Sequence, residues 1–262
     1  MELVSPLPSR YSKNDREQLP ESERVAVLAD VHGNAVALEA VLEELAGEAV
    51  DLLVFGGDLT WGPLPEATLE LVAALEVPAL FARGNAERAL LEPSEEPTER
   101  ERWLAGRHSD EQLAFLGSFS EQVVVDVAGL GPVRFCHGSP RSDEELVTPK
   151  TPAGRIRAMT ADIAERVLVT AHTHLQFDRR IAGIRSINAG SVGMPYEGRP
   201  GAFCALIGPD VDLRRTKYSL ELAAERYRAS GDPLAEQMVE LLDSPPTREE
   251  VVEHAERLEF SG

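Results

Sequence analysis

The sequence predicts an α/β fold built around parallel strands. Between Arg24 and Asn85, short apolar runs rich in β-branched residues alternate with helical patterns. Each run ends in a turn that presents a polar residue, and the carboxyl edge of its strands is where an open α/β sheet binds ligands. The chain has 262 residues, enough to bury a full core, and reads as one domain with a helical insertion.

Residues 1–23 are polar with several prolines and read as a flexible N-terminal arm. The core domain, 24–218, opens with the strand "RVAVLAD". Asn34 then starts an amphipathic helix with Leu38, Val41, Leu42 and Leu45 on one face and Gly47 as its stop. A strand "VDLLVFGGD", a helix "PLPEATLELVAALE" and a strand "PALFARGN" follow, an order that predicts parallel strands with right-handed crossovers. From 86 to about 119 the pattern is helical, a cap insertion whose last helix has Ser109 and Gln112 as a capping box.

"EQVVVDVAG" and "GPVRFCHG" meet at a Gly-Leu-Gly-Pro turn and predict a hairpin. A helix after Thr151-Pro152 leads into "RVLVTAHTH", and short strands run on through "RRIAGIRSINAGSVG" and "AFCALIG" to "VDLRRTKYS". Residues 219–262 form a C-terminal helical extension, with Asp232-Pro233 and Thr247…Glu250 as start signals and Met238, Val239, Leu241 and Leu242 as packing residues.

The formal charge of -19 repels nucleic-acid backbones and anionic membranes, which argues against duplex binding and membrane association. A small phosphate ester is still compatible, because bound cations dominate the field locally. Cys136 and Cys204 are too few for a disulfide framework and read as reduced core residues. No apolar run is long enough to span a bilayer and the N-terminal segment lacks an apolar middle, so a cytoplasmic location is expected. Homo-oligomerisation is left open.

Seven polar residues sit just past the apolar runs: Asp30, His32, Asp58, Asn85, His137, His172 and His174. A single histidine in such a place is ordinarily structural. Several strand ends crowding imidazoles and carboxylates into one crevice would each incur roughly 2–7 kcal/mol of desolvation without a partner. Divalent cations remove that cost, and clustered ligands in one cleft mark a site.

These residues form the motifs Asp30-x-His32, Gly57-Asp58, Gly84-Asn85-Ala86-Glu87, a strand-borne His137 and Ala171-His172-Thr173-His174, followed by "NAGSVG" at Asn188 to Gly193. In that order they resemble the calcineurin-like metallophosphoesterases, in particular their small bacterial and archaeal phosphodiesterase branch. The resemblance covers about Arg24 to Tyr218. It implies a four-layer α/β sandwich, two mixed β-sheets flanked by helices. It also implies two divalent metal ions, one on Asp30, His32, Asp58 and His174, the other on Asp58, Asn85, His137 and His172. Mixed imidazole and carboxylate ligands suit manganese, iron, zinc or nickel.

A carboxylate has two oxygens, so Asp58 is expected to bridge the cations. Asn85 is expected to give its oxygen to a metal and its amide hydrogens to phosphate. The implied chemistry is in-line attack on phosphorus by a metal-bridging hydroxide, with Asp58, Asn85 and His137 as catalytic residues. Where many relatives carry a histidine able to protonate the leaving group, this chain has Ala86, which favours phosphodiesters. Glu87 then has a supporting role or none.

Among arginines near the motifs, Arg141 is the preferred phosphate contact, ahead of Arg83 and Arg199. Trp61 either walls the pocket or packs, and His108 and His254, in charged helical segments, read as inert. The alternatives are a phosphomonoesterase or protein serine/threonine phosphatase, and last a non-catalytic scaffold, which would be expected to have lost ligands.

Overall fold

The structure is a computed structural model that describes residues 21–258. The N-terminal arm expected over 1–23 lies outside this range except at its end, where Ser22 is held by backbone hydrogen bonds to Asp126 and Ala128.

The first half alternates as expected: β1 (Val25–Leu28), α1 (Ala35–Leu45), β2 (Leu52–Phe55), α2 (Pro65–Ala73) and β3 (Ala79–Phe81). β1, β2 and β3 pair in parallel, with Val27 opposite Val54 and Val54 opposite Leu80. Asn34 caps α1, its side chain accepting from Ala37 N at 3.0 Å. The helix stops at Leu45 with Ala46 as its cap in right-handed conformation, so Gly47 is not the terminator.

Three short helices follow, α3 (Asn85–Leu91), α4 (Glu99–Ala105) and α5 (Asp110–Gly117), the last opened by the Ser109–Gln112 capping box. Next come the antiparallel hairpin of β4 (Gln122–Val127) and β5 (Gly131–Cys136), α6 (Ala153–Met159) and β6 (Val167–Thr170). Four strands complete the sheets: β7 (Gln176–Ile181), β8 (Ile184–Ala189), β9 (Ala202–Ile207) and β10 (Val211–Thr216). Helices α7 (Leu220–Ser230), α8 (Ala235–Asp243) and α9 (Arg248–Arg257) end the described chain.

The strands make two mixed five-stranded sheets, ordered β10-β9-β1-β2-β3 and β4-β5-β6-β8-β7. Both faces of the central strands are covered, which is why "VAVL", "LLVF" and "VLVT" are apolar throughout and not alternating. Val25 and Val27 point between the sheets, where they meet Val125, Phe135, Val169 and Ile187. Ala26 and Leu28 point outward against Leu38 and Val41 of α1 and Leu69 of α2. The other sheet turns Cys136, Leu168 and Phe177 toward Ile156 and Met159 of α6. Helix, sheet, sheet, helix is therefore the layer order, the α/β sandwich expected from the motifs.

Leu90, Leu104, Leu116 and Phe119 from α3–α5 and the adjoining turn join the same outer cluster as α1 and α2. Phe81 anchors them, stacked on Phe119 at 4.7 Å and edge-on to Phe115 at 5.3 Å. The C-terminal helices cover α1, where Tyr227, Met238, Val239 and Leu242 pack on Val36. Among the described residues no helix is long and apolar enough to cross a membrane.

Candidate metal centre

All seven predicted ligands converge at one edge of the sandwich. Asp30 and His32 follow β1, Asp58 follows β2, Asn85 starts α3 after β3, His137 follows β5, and His172 and His174 follow β6. Each lies past the carboxyl end of a strand that has a parallel neighbour, the location at which α/β sheets collect functional groups. They form two groups, Asp30 with His32 and His174, and Asp58 with His137 and His172.

The backbone is strained to bring them there. Among the described residues six non-glycine residues have positive φ, and five are these ligands: Asp30 at 51°, His32 at 48°, Asp58 at 53°, His172 at 64° and His174 at 57°. Such conformations are each disfavoured by about 1–3 kcal/mol and persist only where surrounding contacts fix them. Here the fixing contacts are backbone hydrogen bonds, Asp30 N to Gly57 O at 3.0 Å, His32 N to Asp58 O at 2.9 Å and Gly193 N to Asp30 O at 3.0 Å. Two glycines are sterically required. A Cβ on Gly57 would sit 2.6 Å from His137 Nδ1, and one on Gly84 would sit 2.1 Å from Asp58 Oδ1.

The hydrogen bonds define which nitrogens face inward. Nδ1 of His32 donates to Trp61 O at 3.1 Å, that of His137 to Gly56 O at 2.8 Å, and that of His174 to Met194 O at 2.5 Å. Their Nε2 atoms therefore point at other acceptors: His32 Nε2 lies 3.2 Å from His174 Nε2, and His137 Nε2 lies 2.9 Å from Asn85 Oδ1 and 3.1 Å from His172 Nδ1. Inward-facing lone pairs this close are stable only with a proton or cation among them. Asp30 Oδ1 is buried without a hydrogen-bond partner while Oδ2 takes the His172 N–H at 3.1 Å. An orphaned carboxylate oxygen beside converging imidazoles is the donor set of a divalent cation.

Asp58 differs from the expectation that each of its oxygens would take one cation. Oδ1 is occupied by the Ala86 N–H at 2.9 Å. Oδ2 alone faces both groups, 3.5 Å from His137 Nε2 and 3.7 Å from His32 Nε2.

Electrostatics match this picture. Burial pushes His32 down to about 4, and burial together with His137 does the same to His172, so both are neutral at pH 7, the form able to ligate a cation. Burial opposes a charge on His137 too, but the Asp58 and Asp30 carboxylates overcome it and push it up to about 10. In the metal-free protein a proton thus fills the gap between Asp58 and His137. Burial would raise Asp58 as well, yet His137 and His32 hold it below the usual carboxylate range.

Several supporting residues gain contacts that the sequence motifs did not specify. Glu87, given a supporting role or none, is 1 % exposed and accepts from the backbone N–H groups of Asp58, Leu59 and Gly84 at 2.9, 2.7 and 2.8 Å. Asn188 Nδ2 donates to Ala171 O at 2.7 Å and Thr173 Oγ1 at 3.0 Å, holding the turn between the two histidines. Ser191 Oγ donates to Asp30 O at 2.7 Å. Tyr196 stacks on the His174 ring at 4.5 Å. The "NAGSVG" match marks Asn188 and Ser191, and the Gly84–Glu87 motif marks Glu87, without giving the contacts, while Tyr196 lies outside both.

His108 corrects the reading of an inert residue in a charged segment. It is buried, with Nδ1 donating to Leu104 O at 2.8 Å and Nε2 accepting from Thr60 Oγ1 at 3.1 Å, which ties the α4–α5 turn to the Asp58 loop. His254 is exposed on α9. Trp61 packs against the outer cluster and contributes its carbonyl to His32. Arg199 lies over the Phe203 ring at 5.6 Å. Arg141 and Arg83 both line a cavity that reaches His137. Arg141 is held by Glu145, with Nε 2.9 Å from Oε1 and 3.0 Å from Oε2.

Comparison with known proteins agrees with the geometry. The chain is similar to a metallophosphoesterase from Sphaerobacter thermophilus, with 26% identity and a TM-score of 0.70 over 85% of this chain and 98% of that one. A hypothetical protein from Pyrococcus horikoshii OT3 shares the fold at 20% identity, with a TM-score of 0.75 over 86% of this chain and 99% of that one. No curated protein matches the sequence. The sequence profile of the calcineurin-like phosphoesterase superfamily domain matches residues 24–208, which hold all seven predicted ligands and both sheets apart from β10. The chain belongs to the calcineurin-like phosphoesterase superfamily.

Proposed function

We propose that the chain hydrolyses small phosphodiesters, nucleotides among them, at a dinuclear centre of manganese, iron, zinc or nickel. The observation that carries this is the single Asp58 oxygen placed between two groups of inward-facing lone pairs. Asp30, His32 and His174 would hold one cation, Asn85, His137 and His172 the other, and Asp58 both. When bound, the cations lower the pKa of a water nucleophile and neutralise charge on the phosphoryl oxygens.

The residues of the chain do the rest. Glu87 and the Gly57–Gly84 contact fix Asp58 before substrate arrives, so no reorganisation is needed during reaction. Asn85 turns its oxygen to His137, leaving its amide hydrogens for a phosphoryl oxygen. Water gives up a proton to solvent as its oxygen adds to phosphorus, the opposite P–O ester bond breaks, and the leaving oxygen takes a proton from solvent. Ala86 supplies no imidazole for that last step, which favours aryl and diester leaving groups over alkyl monoesters. A scaffold role is disfavoured because every ligand is present and assembled.

The net charge of -19 argues against duplex nucleic acid and membranes as partners, while a small phosphate ester stays compatible because bound cations would dominate the field locally. Buried free thiols at Cys136 and Cys204 support a reducing, cytoplasmic setting. The test is kcat/KM for bis-p-nitrophenyl phosphate, p-nitrophenyl phosphate, an alkyl monoester and cyclic nucleotides with each of the four metals. Faster turnover of diesters than of alkyl monoesters is expected. The reverse order would overturn the diesterase assignment.

A further inference from the structure

Beside His137 a cavity of about 200 Å3 opens between the turn after β3 and the loop 138–145. Its walls include Arg83, Arg88, Arg141, Ser139, Ser142 and Asp143. Three guanidinium groups around one small space stand out in a chain of net charge -19.

The three are not equivalent. Arg88 is committed to two carboxylates, with Nε 2.7 Å from Asp143 Oδ2 and Nη2 2.6 Å from Glu144 Oε1. Arg141 is committed to Glu145, whose side chain is 7 % exposed. Arg83 has one ion-pair contact, Nη2 to Glu121 Oε1 at 3.3 Å, and the Glu121 side chain is 78% exposed. A single long contact to a solvated carboxylate is worth little and exchanges readily. The backbone of Arg83 is fixed by its N–H to Ser120 O at 2.6 Å, two residues before Asn85. Arg83 is thus a rigidly based, weakly engaged guanidinium at the rim of the metal centre.

The cavity is smaller than the roughly 300–1,000 Å3 typical of sites for drug-sized ligands. Among the described residues no Phe, Tyr or Trp lines it, so it offers no face for stacking a base. Carboxylates of Glu121 and Asp143 line it too, so its size and guanidinium groups fit a compact anion once Arg83 exchanges the solvated Glu121 for it.

We propose that this cavity is a second anion subsite, and that the substrate is a phosphodiester carrying a further compact anionic group, phosphate or carboxylate, that Arg83 holds. The inference rests on the phosphoesterase reading, in which the scissile phosphate lies at the metals. It moves the anion contact from Arg141, already spent on Glu145, to Arg83.

The test uses manganese-saturated full-length protein and calorimetric titration with propyl phosphate, propane-1,3-diol bisphosphate and 2-phosphoglycolate. The bisphosphate should bind about tenfold or more tightly than propyl phosphate, as expected for a charge-assisted contact. A matching gain with 2-phosphoglycolate would identify a carboxylate as acceptable, and a gain confined to the bisphosphate would identify a phosphate. Arg83→Gln should bring the ratio of the two phosphate affinities close to one, and Arg83→Lys should retain part of it. Glu121→Gln, on a solvated side chain, should increase the ratio by releasing Arg83. Binding of propyl phosphate with no advantage for either ligand carrying the second anionic group in the wild type, or an advantage that survives Arg83→Gln, would overturn the subsite alone. Failure of every phosphate to bind would overturn both the subsite and the phosphoesterase reading.

Discussion

Replacing Glu87 by alanine removes the acceptor for three buried backbone N–H groups, those of Asp58, Leu59 and Gly84 at 2.7–2.9 Å. Each unsatisfied buried donor is disfavoured by about 1–3 kcal/mol, which gives about 3–6 kcal/mol once partial hydration is allowed. An opposing effect reduces this. Burial and the Asp58 carboxylate push Glu87 up to about 7 from 4.5, so its charged form is disfavoured in the folded protein. Because the folded value is raised, the stability Glu87 provides is complete below pH 4.5 and declines as pH rises through about 7. The net loss in metal-free Glu87→Ala should be about 2–4 kcal/mol near pH 6 and smaller at pH 8. Urea unfolding of both proteins at the two pH values measures it, and manganese calorimetry should show weakened binding because the Asp58 loop is no longer clamped. Glu87→Gln, which keeps shape and one acceptor, should lose less. A Glu87→Ala protein within about 0.5 kcal/mol of wild type, the spread of ordinary surface substitutions, would refute the clamp, as would unchanged metal affinity.

Other consequences are equally concrete. Arg248→Ala removes a guanidinium that holds Glu197 at 2.5–2.6 Å and Gln176 O at 2.9 Å, behind the segment that seats His174. Supporting contacts of this kind are worth about 10–100-fold in metal affinity, so one class of site should weaken in calorimetry while the other holds. Metal uptake must displace the His137 proton, whose pKa is about 10, so apparent affinity should rise with pH up to that value. Titrations at pH 7 in buffers of different ionisation enthalpy should show proton release, and its absence would count against the assignment. Ala86→His should raise kcat/KM for alkyl monoesters more than for aryl diesters, by a fraction of the roughly 10²–10⁴-fold of an evolved acid. Equal gains for both would show that leaving-group protonation is not what position 86 limits.

The layers and the site were legible for the same reason. Strands buried on both faces, such as "VAVL" and "VLVT", are continuous apolar runs, so the first polar residue past each one marks the sheet edge. What stayed hidden depended on contacts distant in sequence or on how a loop closes. Nothing in the helical, charged surroundings of His108 indicates that Thr60, 48 residues earlier, will meet its ring. The three amides on Glu87 arise from two separate turns, and the pairing of Arg141 with Glu145 depends on how loop 138–145 closes. That a single Asp58 oxygen faces both groups could not be inferred either, because the Ala86 N–H that takes the other becomes available only at the start of α3.

If two metals share Asp58, metal content and activity must rise together as the protein is reloaded. Chelated protein is reloaded with manganese in steps, and bound metal per chain and turnover of bis-p-nitrophenyl phosphate are followed together for wild type and Asp58→Ala. Activity should follow the second equivalent, saturating at two metals per chain, and Asp58→Ala should lose turnover and bind less metal than His174→Ala. Full activity at one metal per chain, activity surviving exhaustive chelation, or two metals retained by Asp58→Ala would contradict it.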